Sequence, residues 1–198
     1  MSKYQIPKNE EVLKNKLGIT DPLEIATYET QGFANAEYAL INELTDQTSF
    51  DAEYICRIHR LALIEVYEFA GNYRTVNMSK EGFHFSAAHV LSNSMQTFEQ
   101  EMLNDLPHVY NSRDQLVKDI GAVHAELLYI HPFREGNGRM ARILANMMAF
   151  KAGYPGINFD PIAISGDYRI KYIQGVQQAL DQEYTIMTEI IEELLPDL

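Results

Sequence analysis

The sequence predicts a mainly α-helical protein carrying one β-hairpin. Two observations support this. Apolar residues recur at three- and four-residue spacing along most of the chain. Only residues 71–85, GNYRTVNMSKEGFHF, break that rhythm, with the alternating YRTVNM, the turn-like SKEG and the aromatic FHF. At 198 residues the chain is long enough for one domain with a sizeable core, since about 70% of the unfolded surface is buried at this size. No Pro/Gly/Ser linker, low-complexity tract or internal repeat divides it, so the expected unit is a single domain over 1–198.

The helices follow in order. Asp21-Pro22 supplies an N-cap and a first-turn proline for a segment running to about Leu44. Asp51 caps a second, whose stripe of Tyr54, Ile55, Ile58, Leu61, Leu63 and Ile64 continues to Tyr67. Ser86 begins a third through Val90, Leu91, Met95, Phe98 and Met102. Ser112, with Asp114 behind it, starts a fourth on which Leu116, Val117, Ile120, Val123, Leu127 and Leu128 share a face. A fifth runs from Asn137 to Ala152 and is stopped by Gly153 and Pro155. One or two more occupy the C-terminal stretch, 160–198, between Asp167 and Leu195.

Bulk properties exclude several functions. Sixteen basic against 28 acidic side chains give a net charge of −12, which argues against stable nucleic-acid binding. A single cysteine, Cys56, rules out an internal disulfide framework and a Cys-based zinc site. The polar start, MSKYQIPKNE, lacks the apolar core of a signal peptide, and apolar runs such as ILANMMAF fall short of the ~20 residues a membrane span needs. The expectation is a cytoplasmic chain with no membrane association.

The chemistry concentrates in residues 131–142, HPFREGNGRMAR. Pro132 biases His131 away from the α region, so the fourth helix should stop near Ile130 and leave His131 on a loop. Gly136, Asn137 and Gly138 then open the fifth helix, whose free N–H groups form an anion site that glycines let a ligand approach. Arg139 and Arg142 share one face of its first turns, where cations oppose the macrodipole unless an anion sits between them. Glu135 offers an oxygen to Mg²⁺, which takes one or two carboxylates plus phosphates and water. Phe133 anchors the loop in the core. Singly, each residue has an ordinary structural explanation, such as a capping histidine, a Gly-Asn-Gly turn or a surface ion pair. Together they supply a base, a metal ligand, an anion hole and phosphate clamps, the set required for phosphoryl or nucleotidyl transfer.

The same twelve residues resemble the signature of the Fic family (filamentation induced by cAMP, the Fic/Doc superfamily), H-x-F-x-[D/E]-G-N-G-R-x-x-R. His131, Phe133, Glu135, Gly136, Asn137, Gly138, Arg139 and Arg142 fill every specified position. The resemblance extends to LKNKLGITDP, IHRLALIEVYEFAGNYRT and FKAGYP, covers roughly 12–155, and is nearest the bacterial cell-filamentation, toxin-like branch. It implies a Fic-type helical bundle with a protruding hairpin flap, acting as a Mg²⁺-dependent protein adenylyltransferase that moves AMP from ATP to a Ser, Thr or Tyr hydroxyl. His131 would be the general base and Glu135 the Mg²⁺ ligand. Backbone N–H groups of Gly136, Asn137 and Gly138, with the Asn137 side chain, would hold the α- and β-phosphates. Arg139 would serve the β-phosphate and leaving pyrophosphate, and Arg142 the γ-phosphate. The flap, 77–85, would align the target through Asn77, Met78, Ser79, Lys80, Phe83 and Phe85, although Phe83 and Phe85 equally suit docking the hairpin on the body.

Alternatives are a UMP or GMP donor, a Doc-like phosphate transfer, and a non-catalytic Fic-fold binding module, which would have no evident need of a base. Related toxins modify type II topoisomerases, making such a subunit a lead for the target. The family's inhibitory motif, [S/T]-x-x-x-E-[G/N], is not completed at Thr20/Glu24, Ser49/Glu53, Thr97/Glu101, Thr185/Glu189 or Thr188/Glu192. The expectation is therefore a separate small antitoxin carrying that helix, with Glu189 and Glu192 as weaker in-chain candidates. His59 and His124 read as core residues, and a metal pair at His84 and His89 is disfavoured. Met140, Met147 and Met148 read as core filling. Asp167, Tyr168 and Tyr172 are placed at the nucleoside pocket by position alone.

Overall fold

The computed structural model describes residues 12–80 and 82–198. The polar start read above and Glu81, within the SKEG turn, lie outside the described residues. Among those described, eight α-helices and one two-stranded hairpin form the molecule, so the mainly helical expectation with a single hairpin holds.

Several caps work as the sequence implied. α1 (Pro22–Glu43) starts where Asp21 accepts the N–H groups of Leu23 and Glu24 at 2.8 and 2.9 Å. α2 (Ala52–Leu63) starts at Asp51, which accepts from Tyr54 N at 2.7 Å. Its apolar stripe suggested continuation to Tyr67, but the helix ends at Leu63. The Leu63 carbonyl takes the N–H groups of both Val66 and Tyr67, and the turn carries the Tyr67 ring into the core.

The hairpin is much shorter than expected. β1 (Ser79–Lys80) runs antiparallel to β2 (Phe83–His84), with Ser79 opposite His84 and Lys80 opposite Phe83. The alternation over 73–78 forms no strand because its side chains are committed elsewhere: Arg74 and Met78 are both buried. α3 (Leu91–Phe98) follows a 3₁₀ turn over Ala88–Val90 and runs into a π-helical turn over Glu99–Leu103. The start expected at Ser86 falls later because Asn77 Oδ1, not Ser86, accepts the Ala88 N–H, at 2.8 Å.

α4 (Arg113–Ile130) is capped by Ser112, and α5 (Asn137–Lys151) ends just before Gly153, at φ +84°. A short α6 (Asp160–Ile164) was not anticipated. α7 (Gly166–Gln178) begins a residue before Asp167 because Ser165 caps it, and α8 (Thr185–Leu194) completes the chain's helices. α4 packs against α5 and α8, while α1 and α2 pair with each other and both contact α5. Met140, Met147 and Met148 are buried between these layers, as core filling predicts. Each large apolar side chain so enclosed contributes roughly 1.5–3 kcal/mol. Among the described residues no helix is long and apolar enough to cross a membrane. The junction of α4 with α5 emerges from two helices that both bury many residues in the core.

Candidate active site

His131 closes α4 as Pro132 dictates. It takes the left-handed conformation, φ 53° and ψ 58°, and its N–H bonds to the Leu127 carbonyl at 3.0 Å. Its Nδ1 lies 3.1 Å from the Leu128 carbonyl oxygen. A carbonyl can only accept, so Nδ1 carries the hydrogen and Nε2 keeps the lone pair. The ring stacks on Phe85, centroids 3.9 Å apart at 14°.

Three buried polar groups hold the loop after His131. Asn137 Oδ1 accepts from Phe133 N at 2.8 Å, and its Nδ2 donates to Phe133 O at 2.7 Å. The Asn137 side chain, assigned to phosphate in the sequence, is thus engaged with the loop backbone and fully buried, which leaves its main-chain N–H for a ligand. His59 accepts from Gly71 N at Nδ1 (2.8 Å), so its Nε2 donates to Glu135 O (2.9 Å), and its ring stacks on Phe133 at 3.9 Å. Burial pushes His59 down to about 4, so the ring is neutral at physiological pH. His59 is a core residue, as predicted, and also a support of the loop. Arg74 donates Nε to His131 O at 2.8 Å, Nη1 to Val76 O at 2.6 Å, and Nη2 to Ser86 O at 2.5 Å and Ile130 O at 3.3 Å. One guanidinium thereby ties the end of α4 to the hairpin's approach. Burial lowers Arg74 to about 10, with Arg134 adding to the shift, and it stays charged.

α5 begins without a side-chain cap, so its first-turn N–H groups are open to an anion. Gly136 precedes it at φ +79°, and a Cβ there would meet Phe33 Cζ at 2.7 Å, so both backbone and space demand glycine. A Cβ on Gly138 would meet nothing within 4 Å. Glu135 Oε1 accepts from Gly136 N at 2.9 Å.

The two motif arginines are held differently. Arg139 Nη2 donates to Glu29 Oε2 at 2.6 Å and to Glu135 Oε1 at 3.4 Å, with its guanidinium 4.6 Å from the Phe33 ring centroid. Arg142 lies 5.5 Å from the Phe159 ring centroid, and its Nε is buried without a hydrogen-bond partner among the described residues. Beside it, the Tyr172 hydroxyl donates to His124 Nε2 at 2.7 Å, because His124 Nδ1 faces the Ala141 carbonyl at 3.2 Å. Burial, then Arg142, pushes His124 down to about 3.

A cavity of about 530 Å³ brings together His131, Glu135, Gly136, Asn137, Gly138, Arg139 and Arg142 with Lys80, Phe83 and Phe85 of the hairpin. Phe83 sits edge-on to Phe85 and beside Tyr129, so both phenylalanines dock the hairpin on the body next to His131. Asn77 and Met78, assigned to target docking in the sequence, do not line the cavity: Asn77 accepts from Ala88 N and Met78 is buried. Ser79 is on β1 but outside the lining.

The far end of the cavity is formed by Ile162, Arg169, Tyr172, Ile173, Val176 and Gln177. Of the three residues placed at the nucleoside pocket by position, Tyr172 lines this end. Asp167 and Tyr168 do not, since Tyr168 turns outward to bond Glu193. Glu189 and Glu192, the weaker inhibitory candidates, are engaged with Lys171 and Arg113 on the surface. Sequence reasoning missed Arg74, Glu29, Arg169 and Gln177. Arg74 alone left a signal, as a lone cation inside an otherwise strand-like alternation.

Mg²⁺ would find one carboxylate here, Glu135, bordering the uncapped helix start. No cluster of three or more acidic, His or Cys side chains that could hold a metal exists among the described residues. This donor set fits an ion that brings phosphate and water ligands with it.

A loop closing one core helix and opening the next, flanked by a short hairpin, defines the Fic class of fold. Residues 49–149 match the model of the Fic/DOC family, and the chain belongs to that family. It is 28% identical over 143 residues to the protein adenylyltransferase VbhT of Bartonella schoenbuchensis, covering 72% of this chain and 30% of that protein. It is 26% identical over 170 residues to the protein adenylyltransferase Fic of Nematostella vectensis, covering 85% and 38%. The chain thus spans about a third of the length of these two relatives. Against the probable protein adenylyltransferase y4lH of Sinorhizobium fredii, 28% identity covers 72% of this chain and 73% of that one. The fold matches the crystal structure of the BepC protein of Bartonella tribocorum, with bound AMPPNP, at a TM-score of 0.80 and 21% identity, over 96% of this chain and 95% of that one.

Proposed function

We propose that this chain is a Mg²⁺-dependent protein adenylyltransferase. The observation that carries the reading is the His131 tautomer. With Nδ1–H donated to Leu128, Nε2 is the basic nitrogen, in a cavity shared with the uncapped start of α5 and two arginines. Its Nε2 takes the proton of a target Ser, Thr or Tyr hydroxyl as that oxygen bonds to the α-phosphorus of ATP. The bond from the α-phosphorus to the bridging oxygen breaks, pyrophosphate departs, and His131 later returns its proton to solvent. The N–H groups of Asn137 and Gly138, joined by that of Gly136 once Glu135 turns from it, neutralise the α- and β-phosphates, Arg139 the β-phosphate and leaving group, and Arg142 the γ-phosphate. Glu135 would hold Mg²⁺, which would supply shielding of the phosphate charge. Lys80, Phe83 and Phe85 line the target's approach, and the apolar end near Ile173 receives the base. The relatives named as adenylyltransferases support the same reading.

The proposed target is a protein hydroxyl, with a type II topoisomerase subunit as the lead, in the cytoplasm. The proposed restraint is a separate small antitoxin whose glutamate takes the Arg142 side, which meets a phenol and an aromatic ring rather than an in-chain acid among the described residues. The test is incubation of the purified chain with Mg²⁺ and ATP labelled at the α or the γ position in a cell lysate. Label from α alone is expected, reduced about 10²–10⁴-fold in His131→Ala. Label from γ alone would replace this reading with phosphate transfer. Label obtained only with UTP or GTP would keep the chemistry and change the donor.

A further inference from the structure

Glu29 of α1 reaches the site at Arg139. It is a nearly buried carboxylate, 8% exposed, and lies outside the 49–149 stretch matched to the family. Its two oxygens have separate partners: Tyr67 donates its hydroxyl to Oε1 at 2.5 Å, and Arg139 donates Nη2 to Oε2 at 2.6 Å. Burial and the neighbouring carboxylate raise the Tyr67 phenol well above its ordinary range, so it remains a donor throughout. Phe33, one helical turn after Glu29, presents its ring to the same guanidinium at 4.6 Å. Arg139 is therefore gripped from the α1 side by a charge and a ring face, both supplied by one helix.

The same Nη2 lies between two carboxylates, 2.6 Å from Glu29 and 3.4 Å from Glu135. Coulomb attraction grows as the separation falls, so the nearer Glu29 sets where the guanidinium rests. Were Glu29 absent, the nearest acid would be Glu135, four residues before Arg139 and inside the cavity. Arg139 would then close on Glu135 and occupy the oxygen the site needs. Glu29 is not among the residues lining the cavity, so it does not take up phosphate space itself. That distinguishes it from a glutamate that would block nucleotide.

We infer that Glu29 is a positioning residue, which holds Arg139 from behind at the start of α5 and so keeps both the guanidinium and the Glu135 carboxylate directed at the nucleotide. This assignment rests on the nucleotide-binding reading above. Its test is calorimetric binding of ATP with Mg²⁺ to the wild type, Glu29→Gln, Arg139→Ala and the double variant, with circular dichroism to confirm folding. Gln keeps the shape and can still accept from Tyr67, but it turns a neutral amide to Arg139. Affinity is expected to fall about tenfold in Glu29→Gln, the loss of one charge-assisted hydrogen bond. In the Arg139→Ala background the same change should cost less than about twofold, because a positioning residue acts only through the group it positions.

Tyr67→Phe, which frees one oxygen of Glu29 but keeps the ion pair, should fall between and serves if Glu29→Gln does not fold. Wild-type affinity in both variants, tighter binding in Glu29→Gln, or an equal loss with and without Arg139 would each overturn the assignment. Binding is read without transfer, so a wild type that binds ATP and transfers no label refutes the transferase alone. A wild type that binds no ATP overturns both.

Discussion

The loop after α4 and the hairpin face each other across the cavity, and they are built on opposite plans. Between 131 and 138 the loop is fastened from several directions: Arg74 holds the carbonyls of Ile130 and His131, His59 holds that of Glu135, and Asn137 holds both polar atoms of the Phe133 backbone. The hairpin has two residue pairs in register and reaches the body through the aromatic faces of Phe83 and Phe85. Isolated two-stranded hairpins are marginal in water. A cradle for a charged ligand gains from being set before the ligand arrives, since reorganising dipoles during reaction is costly. A segment proposed to accommodate a varying peptide gains from resting on the body largely through ring faces, which tolerate sliding.

The sharpest way to break the contrast is Arg74→Met. It removes four donations to carbonyls while keeping an apolar stem, and should cost roughly 3 kcal/mol or more, read as a shift in the denaturant midpoint. A loss below 1 kcal/mol would mean that the loop is fastened elsewhere.

Acid gives the next effect. The His59 ring is held near 4 in the fold against 6.5 unfolded, so the unfolded chain takes up the proton first. Its contribution to stability is full above pH 6.5 and is lost as pH falls toward 4. Between pH 6.5 and 5 this amounts to about 2 kcal/mol, so His59→Gln should show a correspondingly flatter dependence of unfolding free energy on pH than the wild type. Parallel curves would remove His59 as the cause.

The smallest effect on stability belongs to the hairpin side. Phe85→Leu removes the stack on His131 at a half-buried position, and should change unfolding free energy by less than about 1 kcal/mol. Label transfer should nevertheless fall several-fold, because the ring of the proposed base loses its lateral partner. Equal losses in stability and transfer would make the hairpin as structural as the loop.

Legibility in the sequence divides along a similar line. Local rules sufficed for the caps at Asp21, Asp51 and Ser112, and the Pro132 bias placed the end of α4 at Ile130. The motif residues were legible because twelve consecutive positions carry them, and the cavity brings them together. Glu29 could not be read, since it meets Arg139 across 110 positions of chain and nothing near it in α1 marks it out. The engagement of the Asn137 amide with the Phe133 backbone was not legible, because composition shows what a side chain can bind and not what the fold has already given it. The alternation around Arg74 read as strand for the same reason: period-two patterning records outward and inward faces, and a buried guanidinium inverts one of them.

His131 combines two demands that pull apart. Its backbone occupies a left-handed position, where Gly or Asn is more comfortable than any residue with a larger branched or ring side chain. Selection for thermal resilience alone would drift this site toward Gly or Asn, with a gain of about 1 kcal/mol. Such a drift would yield a sturdier protein with an intact cradle and no imidazole. Stabilised variants recovered by screening without an activity filter should therefore carry changes at 131 more often than its depth in the fold suggests, a bias that deep mutational sampling can read directly.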